Sequence, residues 1–406
     1  MKVKIKRKFV LIYIAVFIIV LSESLFFMHR NLGHILEYVG YLMLLGQILI
    51  SFYHVENNYQ KKYFSFFVVI VTLMSLGFWV LDLALIRKIV LFFTVLGISI
   101  SAVLSKNYIT SLDLLRSISY CAFFSILIAA MLAIIGGDSI VDHVDPSTTG
   151  VLGIQMGFNG GMTYKNYFAA DMLAIFMGIY FYYKCEKKKS KDLFVLVLLS
   201  IMILASNSKG GILLLVIFLV SMNYSILKKI PRKQRKIFVF FISIIFCIVI
   251  INIYSAIILN VSTYGYRYRG LINYIGYFES DWYRIILGSA DLMYDQEEEY
   301  VVTVRSITGW DGSLEMAWLN ILIKSGLLGI VAYFLLYIRY LKNILQIEDW
   351  NYKTCMLSVW VTLLASSFVE AYIQSVHCFF AIFCYLLICG LGGRKEKHQI
   401  IRNGGY

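Results

Sequence analysis

Apolar segments of about twenty residues recur along the whole chain, and this pattern restricts the fold more than any other feature of the sequence. A helix that spans a bilayer needs about twenty mostly apolar residues. Every backbone polar group inside a bilayer must be paired within the chain, so these segments are expected to be helices rather than strands. The sequence therefore predicts an all-α, polytopic transmembrane helical bundle of about 12 spans. The predicted spans are roughly 9–28, 35–53, 63–81, 88–104, 114–135, 165–183, 193–206, 210–224, 237–258, 316–338, 354–372 and 375–391.

The composition supports a single membrane domain covering residues 1–406. Apolar residues make up 60% of the chain and charged residues only 15%, whereas a soluble domain carries about a quarter charged residues. No stretch between the apolar segments is long enough for an independent soluble core. The chain is therefore expected to be one integral membrane domain.

The basic residues are distributed as the positive-inside rule expects. Of the 37 Lys and Arg residues, 27 lie in alternate connections and at the two ends of the chain, which predicts that both termini are cytoplasmic. The basic N-terminus precedes an apolar segment with no small-residue cleavage site, as in a retained signal anchor. The net charge of +13 is explained by this topology, so nucleic acid is not an expected partner.

Two connections on the predicted outer side are long. The first, 136–164, is rich in glycine, and the second, 259–315, holds four arginines and nine acidic residues. Long connections with no structure of their own are usually functional. We therefore expect the functional surface to face outward, with the second connection forming a large extracytoplasmic loop.

The sequence SNSKGG, at 206–211, lies between two predicted spans. Ser206 or Ser208 can cap the following helix, whose free N–H groups attract an anion, and Lys209 adds a positive charge. The two glycines allow close approach. The alternative is a polar hairpin with a lysine that reaches the membrane surface.

Arginines and tyrosines alternate in TYGYRYRG, which opens the second long loop. Arg267 and Arg269 can bind phosphate through paired hydrogen bonds, and Arg284 and Arg305 follow in the same loop. The alternative is an ordinary interfacial belt of aromatic residues with balancing cations.

Two carboxylates, Asp311 and Glu315, precede the predicted tenth span and would lie one helical turn apart. Acidic residues are favoured in a first turn by the helix dipole, which is the structural interpretation. The catalytic hypothesis is that one of them removes a proton from a sugar hydroxyl at the membrane face.

Ionisable residues also lie within or beside predicted spans. Such residues are candidates for function because they are costly in a membrane, although Lys324 could simply pair with Glu370. The remaining members of this group are Lys165, Asp171 and His377. No zinc-site spacing, calcium loop or Walker motif is present in the sequence, so neither a metal nor a cofactor is expected.

Three segments together resemble the superfamily of Wzy-type polysaccharide polymerases and O-antigen ligases. GMTYKNYFAADML, at 161–173, is similar to the family's helix-opening segment, with Asn166 as its asparagine. SNSKGG resembles the family's Ser-Arg-Gly turn, with Lys209 in place of arginine. The segment from Glu315 to the GLLG at 326–329 is similar to the family's closing motif. Arg269 and Gly288 approximate the family's arginine-to-glycine spacing in the outer loop.

The resemblance implies glycosyl transfer at the outer face of the bacterial inner membrane. Its substrates would be oligosaccharide repeat units linked to undecaprenyl diphosphate, which are polymerised into O-antigen or capsule without a metal. Glu315 would be the base, with Asp311 as the second choice. Membrane lipid would surround the protein, and a chain-length regulator and a flippase are further partners that the resemblance allows. The cations and the amide implied at the diphosphate or substrate are Arg267, Arg269, Arg305, Lys209, Arg284 and Asn166.

Two other functions remain open from the sequence. Ligases of the superfamily carry a His-Asn pair where this chain has Glu315 and Met316, which favours a polymerase over an O-antigen ligase. A 12-span polysaccharide or lipid transporter would also suit the predicted topology, but the halves of the chain show no evident repeat.

Overall fold

The computed structural model describes residues 7–106, 108–143, 156–186, 189–223, 263–293, 304–309, 316–376 and 378–392. Within these ranges the protein is almost entirely helical, and its only sheet is a two-stranded hairpin. The predicted all-α class is therefore confirmed.

The helices follow the predicted apolar segments closely along most of the chain. The first group comprises α1 (Arg7–Ser22), α2 (Leu25–Met28), α3 (Gly33–Tyr53), α4 (Asn57–Val80), α5 (Leu85–Ser99, continued by a π-helical turn, Ile100–Leu104) and α6 (Leu112–Gly136). The strands β1 (Val141–His143) and β2 (Met156–Phe158) come next, followed by α7 (Lys165–Cys185), α8 (Ser190–Ala205) and α9 (Lys209–Met222). The last group comprises α10 (Thr263–Tyr277), α11 (Trp282–Leu287), α12 (Val304–Thr308), α13 (Ala317–Leu345), α14 (Trp350–Val369) and α15 (Phe379–Gly392), with short 3-10 turns at Ala290–Met293 and Tyr372–Gln374.

Six helices in the described ranges are long and apolar enough to cross a membrane: Gly33–Tyr53, Asn57–Val80, Leu85–Leu104, Leu112–Gly136, Ala317–Leu345 and Trp350–Val369. Shorter apolar helices accompany them at Val10–Ser22, Lys209–Met222 and Phe379–Leu391. These helices identify a helical membrane protein. The predicted ninth span, 237–258, lies outside the described residues, and the count of twelve spans stays a prediction.

The centre of the bundle is formed by α7 and α15. Both are mostly apolar and are buried on nearly all sides, as expected for helices enclosed by other helices. The surrounding helices carry exposed apolar residues such as Ile86, Phe93, Met131 and Phe194. Such a continuous apolar exterior is suited to lipid rather than to water.

The first predicted span, 9–28, is wrong as a continuous helix. Helix α1 ends at Ser22, whose hydroxyl donates to the carbonyl of Ile19 at 2.7 Å. Ser24 then forms an isolated antiparallel bridge with Met162, and the amide of Leu25 donates to the carbonyl of Gly161 at 2.8 Å. The chain leaves the helix because its backbone pairs here with the glycine-rich segment before α7.

The predicted tenth span, 316–338, is also not one straight helix. Within α13, Gly326 has φ 63° and ψ −162°, a conformation that is essentially restricted to glycine. A Cβ built on Gly329 would lie only 3.1 Å from the side chain of Ile321, although the two residues are eight positions apart in the sequence. A straight helix would hold these residues about 12 Å apart along its axis, so the part of α13 before Gly326 folds back on the part after it.

The predicted loop 259–315 contains helices in its described parts. Helix α10 packs against α12, and α11 packs against both α13 and α4. In the predicted loop 136–164, β1 pairs antiparallel with β2, with Val141 opposite Phe158. The described parts of both connections are thus ordered surfaces that position residues against the bundle.

Candidate functional site

Two of the segments that define the resemblance meet through hydrogen bonds at the start of α7 and α9. The hydroxyl of Ser208 donates to Oδ1 of Asn166 at 2.8 Å, and Nδ2 of Asn166 donates to Oε1 of Glu370 at 3.2 Å. The hydroxyl of Tyr372 donates to the backbone carbonyl of Asn166 at 3.0 Å. Asn166 therefore joins the N-terminal ends of α7 and α9 to the chain that follows α14.

The local sequence explains why this junction forms. Ser208 is the N-cap of α9 and accepts a hydrogen bond from the amide of Gly211 at 3.2 Å, which confirms one of the two predicted capping residues. A Cβ on Gly210 would lie 2.9 Å from Val369, and a Cβ on Gly211 would lie 2.5 Å from Ala169. The two glycines therefore allow α9 to contact α14 and α7. The sequence predicted close approach at these glycines but did not identify the helices that they contact.

Two lysines lie beside this junction. Lys209 is the first residue of α9 and is exposed, and Lys165 is the first residue of α7. Lys165 is within electrostatic range of both Lys209 and Asp142. Among the described residues, neither lysine forms a salt bridge. Two neighbouring ammonium groups at helix N-termini can together bind an anionic group such as a phosphate.

The third segment of the resemblance forms the reversal in α13. A Cβ on Gly326 would overlap the carbonyl oxygen of Ile286 in α11, and Gly329 packs against Ser325 and Ile321. The amide of Ser289 donates to the carbonyl of Ile323 at 2.6 Å, which satisfies a carbonyl at the end of the first half of α13. Both glycines of GLLG are needed for close packing at this reversal.

Arg269 lies beside the beginning of α13. A Cβ on the next residue, Gly270, would lie 3.2 Å from Leu319 and 3.3 Å from Thr308. The Arg269 side chain is partly buried. Its backbone is therefore next to the first turn of α13, where the sequence predicts a catalytic carboxylate.

An aromatic contact connects the beginning of α13 to the Asn166 junction. The rings of Trp318 and Phe368 have centroids 6.0 Å apart, and Phe368 precedes Glu370 by two residues. The amide of Asn166 contacts Glu370 directly. The three segments of the resemblance are thus arranged around the C-terminal end of α14.

Arg284 is held by a nearby carboxylate. Its Nη1 donates to both oxygens of Asp291, at 3.0 and 2.8 Å. Burial alone would lower the pKa of Arg284, but the hydrogen bond and the charge of Asp291 outweigh it and raise the pKa. The guanidinium therefore ties α11 to the turn that follows it, a role that the sequence did not predict.

The remaining predicted site residues are not all described. Asp311 and Glu315 lie outside the described residues, as does His377. Arg267 lies within α10 and Arg305 within α12, but their side chains also lie outside the described part. Lys324 has no carboxylate partner among the described residues, and Glu370 accepts a hydrogen bond from Asn166, so the suggested Lys324–Glu370 pair does not form.

A cluster of buried carboxyl groups was missed in part by the sequence analysis. Glu23, Glu37 and Asp171 are all buried, and Glu23 is within electrostatic range of the other two. Oδ1 of Asp171 accepts hydrogen bonds from the amide of Phe380 at 3.2 Å and the thiol of Cys378 at 3.8 Å. Asp171 was singled out, and the same rule for ionisable residues in apolar segments would have selected Glu23 and Glu37.

The described residues contain no group of three or more His, Cys, Asp or Glu side chains that could hold a metal ion. Among the cationic groups that the structure describes, Lys165 and Lys209 lie beside the junction, and Lys324 lies two residues before Gly326 in the α13 reversal. Arg269 is next to Gly270, which packs against Leu319 of α13.

Comparison with known proteins finds no matching family model and no similar curated protein. The fold by itself defines the class, a helical integral membrane protein, and leaves the activity to be inferred from the arrangement of residues.

Proposed function

We propose that the protein is a polysaccharide polymerase that uses lipid-diphosphate-linked oligosaccharides. The observation that supports this proposal is the arrangement of three distant segments around the C-terminal end of α14. Asn166, the SNSKGG turn and the start of α13 are far apart in sequence but are linked by contacts through Glu370 and Trp318. They are the three segments that carry the resemblance to Wzy-type polymerases.

The proposed reaction transfers a growing glycan from its carrier to a sugar hydroxyl of a second carrier-linked unit. The bond between the anomeric carbon and the diphosphate oxygen breaks, and its electron pair leaves with the diphosphate. A new bond forms between the anomeric carbon and the acceptor oxygen, whose proton passes to a carboxylate. Glu315 is the proposed base, and Asp311 is the second candidate.

Cationic side chains would stabilise the charge that builds on the departing diphosphate. Fixed cations lower the free energy of such a transition state because they require no reorganisation during the reaction. The proposed groups are Arg267, Arg269, Arg305 and Lys209. Arg269 has the best support, since the residue that follows it, Gly270, packs against Thr308 and Leu319. The exposed ammonium of Lys209 lies next to that of Lys165.

The proposal includes the predicted topology. Twelve spans with both termini in the cytoplasm would place the Asn166 junction and the second long loop at the outer face of a bacterial inner membrane. The lipid tails of both substrates would lie between helices, where exposed apolar side chains are abundant.

The test is complementation of a deletion strain, with surface glycan separated by electrophoresis. Arg269→Ala and Glu315→Gln should each replace the ladder of chain lengths by a single-repeat band, at normal protein level in the membrane. Arg30→Ala and Glu279→Gln are matched controls because both residues are exposed, and both should keep the ladder.

Full-length polymer from both Arg269→Ala and Glu315→Gln would refute the catalytic assignment. A deletion strain that retains a normal ladder but fails to attach it to its acceptor would indicate a ligase. Accumulation of complete polymer inside the cell would indicate a transporter.

A further inference from the structure

A cavity of 550 Å³ lies between α6 and α8. Its residues on α8 belong to the first two turns of this helix, whose other end leads into the SNSKGG turn. The cavity is lined by Arg116 and Tyr120 of α6 and by Ser190, Lys191, Phe194 and Val195 of α8. Both helices pack against α7, so the cavity is a gap between two neighbours on the same central helix. The accessible surface of its lining is mostly apolar, although four of the lining residues carry a cationic or a hydroxyl group.

A salt bridge joins Arg116, which lines the cavity, to Asp192 of α8. Nε and Nη2 of Arg116 donate to Oδ1 of Asp192 at 2.9 and 2.6 Å, and the hydroxyl of Tyr120 donates to the same oxygen at 2.7 Å. Asp192 is fully buried, so its charge is balanced locally. The structure gives Nη1 of Arg116 no hydrogen bond within the described ranges, which leaves it able to donate to a ligand.

Two lysines, Lys189 and Lys191, flank Ser190 at the beginning of α8, beside the cavity. Lys191 is exposed and has no salt-bridge partner among the described residues, and Lys189 lies close enough to donate to the hydroxyl of Tyr182 at 3.3 Å. No side chain caps the N-terminus of α8, so its first amides add to the positive potential.

Exposed apolar side chains form one face on α8 and one on α6, and both faces begin near the cavity. On α8, exposed Phe194, Val197 and Ile201 follow one another at helical spacing, and on α6 exposed Phe124, Leu127 and Met131 do the same. Residues three and four apart lie on one face of a helix. Arg116 and Asp192 each lie near the N-terminus of their helix, so both faces extend from the cavity in the same direction.

We propose that this cavity binds an anionic diacyl phospholipid. Its phosphate would contact Lys191, Ser190 and Nη1 of Arg116, and its acyl chains would lie along the apolar faces of α6 and α8. Charge complementarity selects this occupant, because a basic pocket between membrane helices favours an anionic headgroup. A soluble phosphate compound would leave the apolar faces uncovered, and a zwitterionic lipid would gain less from the lysines.

The experiment measures lipid binding to the purified full-length protein by native mass spectrometry. Phosphatidylglycerol and phosphatidylcholine with identical acyl chains are the two probes, and inorganic phosphate is the competitor. Phosphatidylglycerol should bind more tightly than phosphatidylcholine. Lys191→Ala should weaken the binding of phosphatidylglycerol about five-fold, the loss expected for one lysine near a lipid surface.

Lys62→Ala is the matched control, because Lys62 is an exposed lysine near the start of α4 and does not line the cavity. It should leave binding of phosphatidylglycerol unchanged. Circular dichroism checks that both variants keep their helical content. Equal binding of the two lipids, equal effects of the two substitutions, or displacement of the lipid by equimolar inorganic phosphate would each overturn the proposal. The result does not depend on the proposed polymerase activity.

Discussion

The indole of Trp318 stacks on the ring of Phe334, with the two centroids 5.2 Å apart. Sixteen residues separate them, and a straight helix would hold them about 24 Å apart. The contact requires the chain to reverse at Gly326, so that the first nine residues of α13 pack against the helix that follows. This reversal brings the beginning of α13 next to Phe368, two residues before Glu370, which accepts a hydrogen bond from Asn166.

Gly326→Ala is expected to destabilise the protein strongly. The backbone conformation of Gly326 is unfavourable for alanine, at a cost of about 1–3 kcal/mol, and the new Cβ would overlap the carbonyl oxygen of Ile286. The melting temperature in detergent, followed by size-exclusion chromatography after heating, should fall by several degrees or more.

Gly46→Ala is the control for that substitution. Gly46 lies within α3, and no atom lies within 4 Å of the position that its Cβ would occupy. Alanine is the better helix former by up to about 1 kcal/mol, so the melting temperature should stay the same or rise. Equal melting temperatures for the two variants would contradict the assigned reversal.

The apolar content of the chain predicted most of the helices but could not predict their interruptions. Hydropathy measures how apolar a segment is, and it is insensitive to a reversal of direction within that segment. Gly326 and Gly329 lie in a predicted span that is apolar apart from a few residues such as Lys324 and Ser325. The turn depends on contacts with Ile286 and Ser289, some 40 residues earlier. The break after Ser22 similarly depends on pairing with Gly161 and Met162.

Individual residues of the candidate site could be predicted from the sequence, but the contacts between residues distant in sequence could not. Ser208 could be recognised as a cap because a cap is a local signal. The pairing of Asn166 with Glu370 spans 204 residues, and no local pattern indicates it. The local charge pattern suggested Lys324 as a partner for Glu370, but the fold brings Glu370 to the amide of Asn166.

Asn166→Asp tests this long-range contact. The substitution replaces the amide that donates to Glu370 by a second carboxylate about 3.2 Å away, and two carboxylates cannot both ionise without a large cost at that distance. We expect a melting temperature clearly below that of the parent protein. Adding Glu370→Gln should restore part of the loss, because the new amide can donate to the introduced carboxylate. If the double variant is no more stable than Asn166→Asp alone, the two side chains do not interact as described.

Arg284 and Asp291 are expected to stabilise the protein through their mutual salt bridge, so the effects of substituting them should not be additive. Each single substitution to alanine should lower the free energy of unfolding, and the double substitution should cost less than the sum. The coupling should be roughly 0.5–1 kcal/mol, because the pair is partly exposed and both oxygens of Asp291 share one guanidinium nitrogen. Thermal melting of the four proteins in the cycle measures this coupling.

The same variants separate a structural role of Arg284 from contact with substrate. If Arg284 acts by holding the turn after α11, Asp291→Ala and Arg284→Ala should shorten the glycan ladder to the same extent. A normal ladder with Asp291→Ala and none with Arg284→Ala would instead show that the guanidinium acts on the substrate, as the sequence suggested.

Tyr274 makes the stability of the second long loop sensitive to high pH. Its ring is fully buried, its hydroxyl donates to Oγ of Ser289 at 2.9 Å, and burial raises the pKa of Tyr274 to about 12. An unfolded tyrosine ionises near pH 10, so the stabilisation is complete below pH 10 and is lost as the pH rises towards 12. The loss is about 1.4 kcal/mol for each pH unit in that window.

Tyr274→Phe cannot ionise, and it should be less stable than the parent protein at pH 8 because it lacks the hydrogen bond to Ser289. At pH 11.5 the difference in melting temperature should shrink or change sign, since only the parent protein then loses stability through this hydroxyl. The other tyrosines titrate in both proteins, so their effects cancel in the difference.

Tyr277→Phe is the control on the same helix, because the Tyr277 ring is about half exposed (52%) and its difference from the parent should not depend on pH. A Tyr274→Phe difference that stays constant from pH 8 to pH 11.5 would mean that the hydroxyl is in contact with water, and that α10 does not pack on the turn at Ser289.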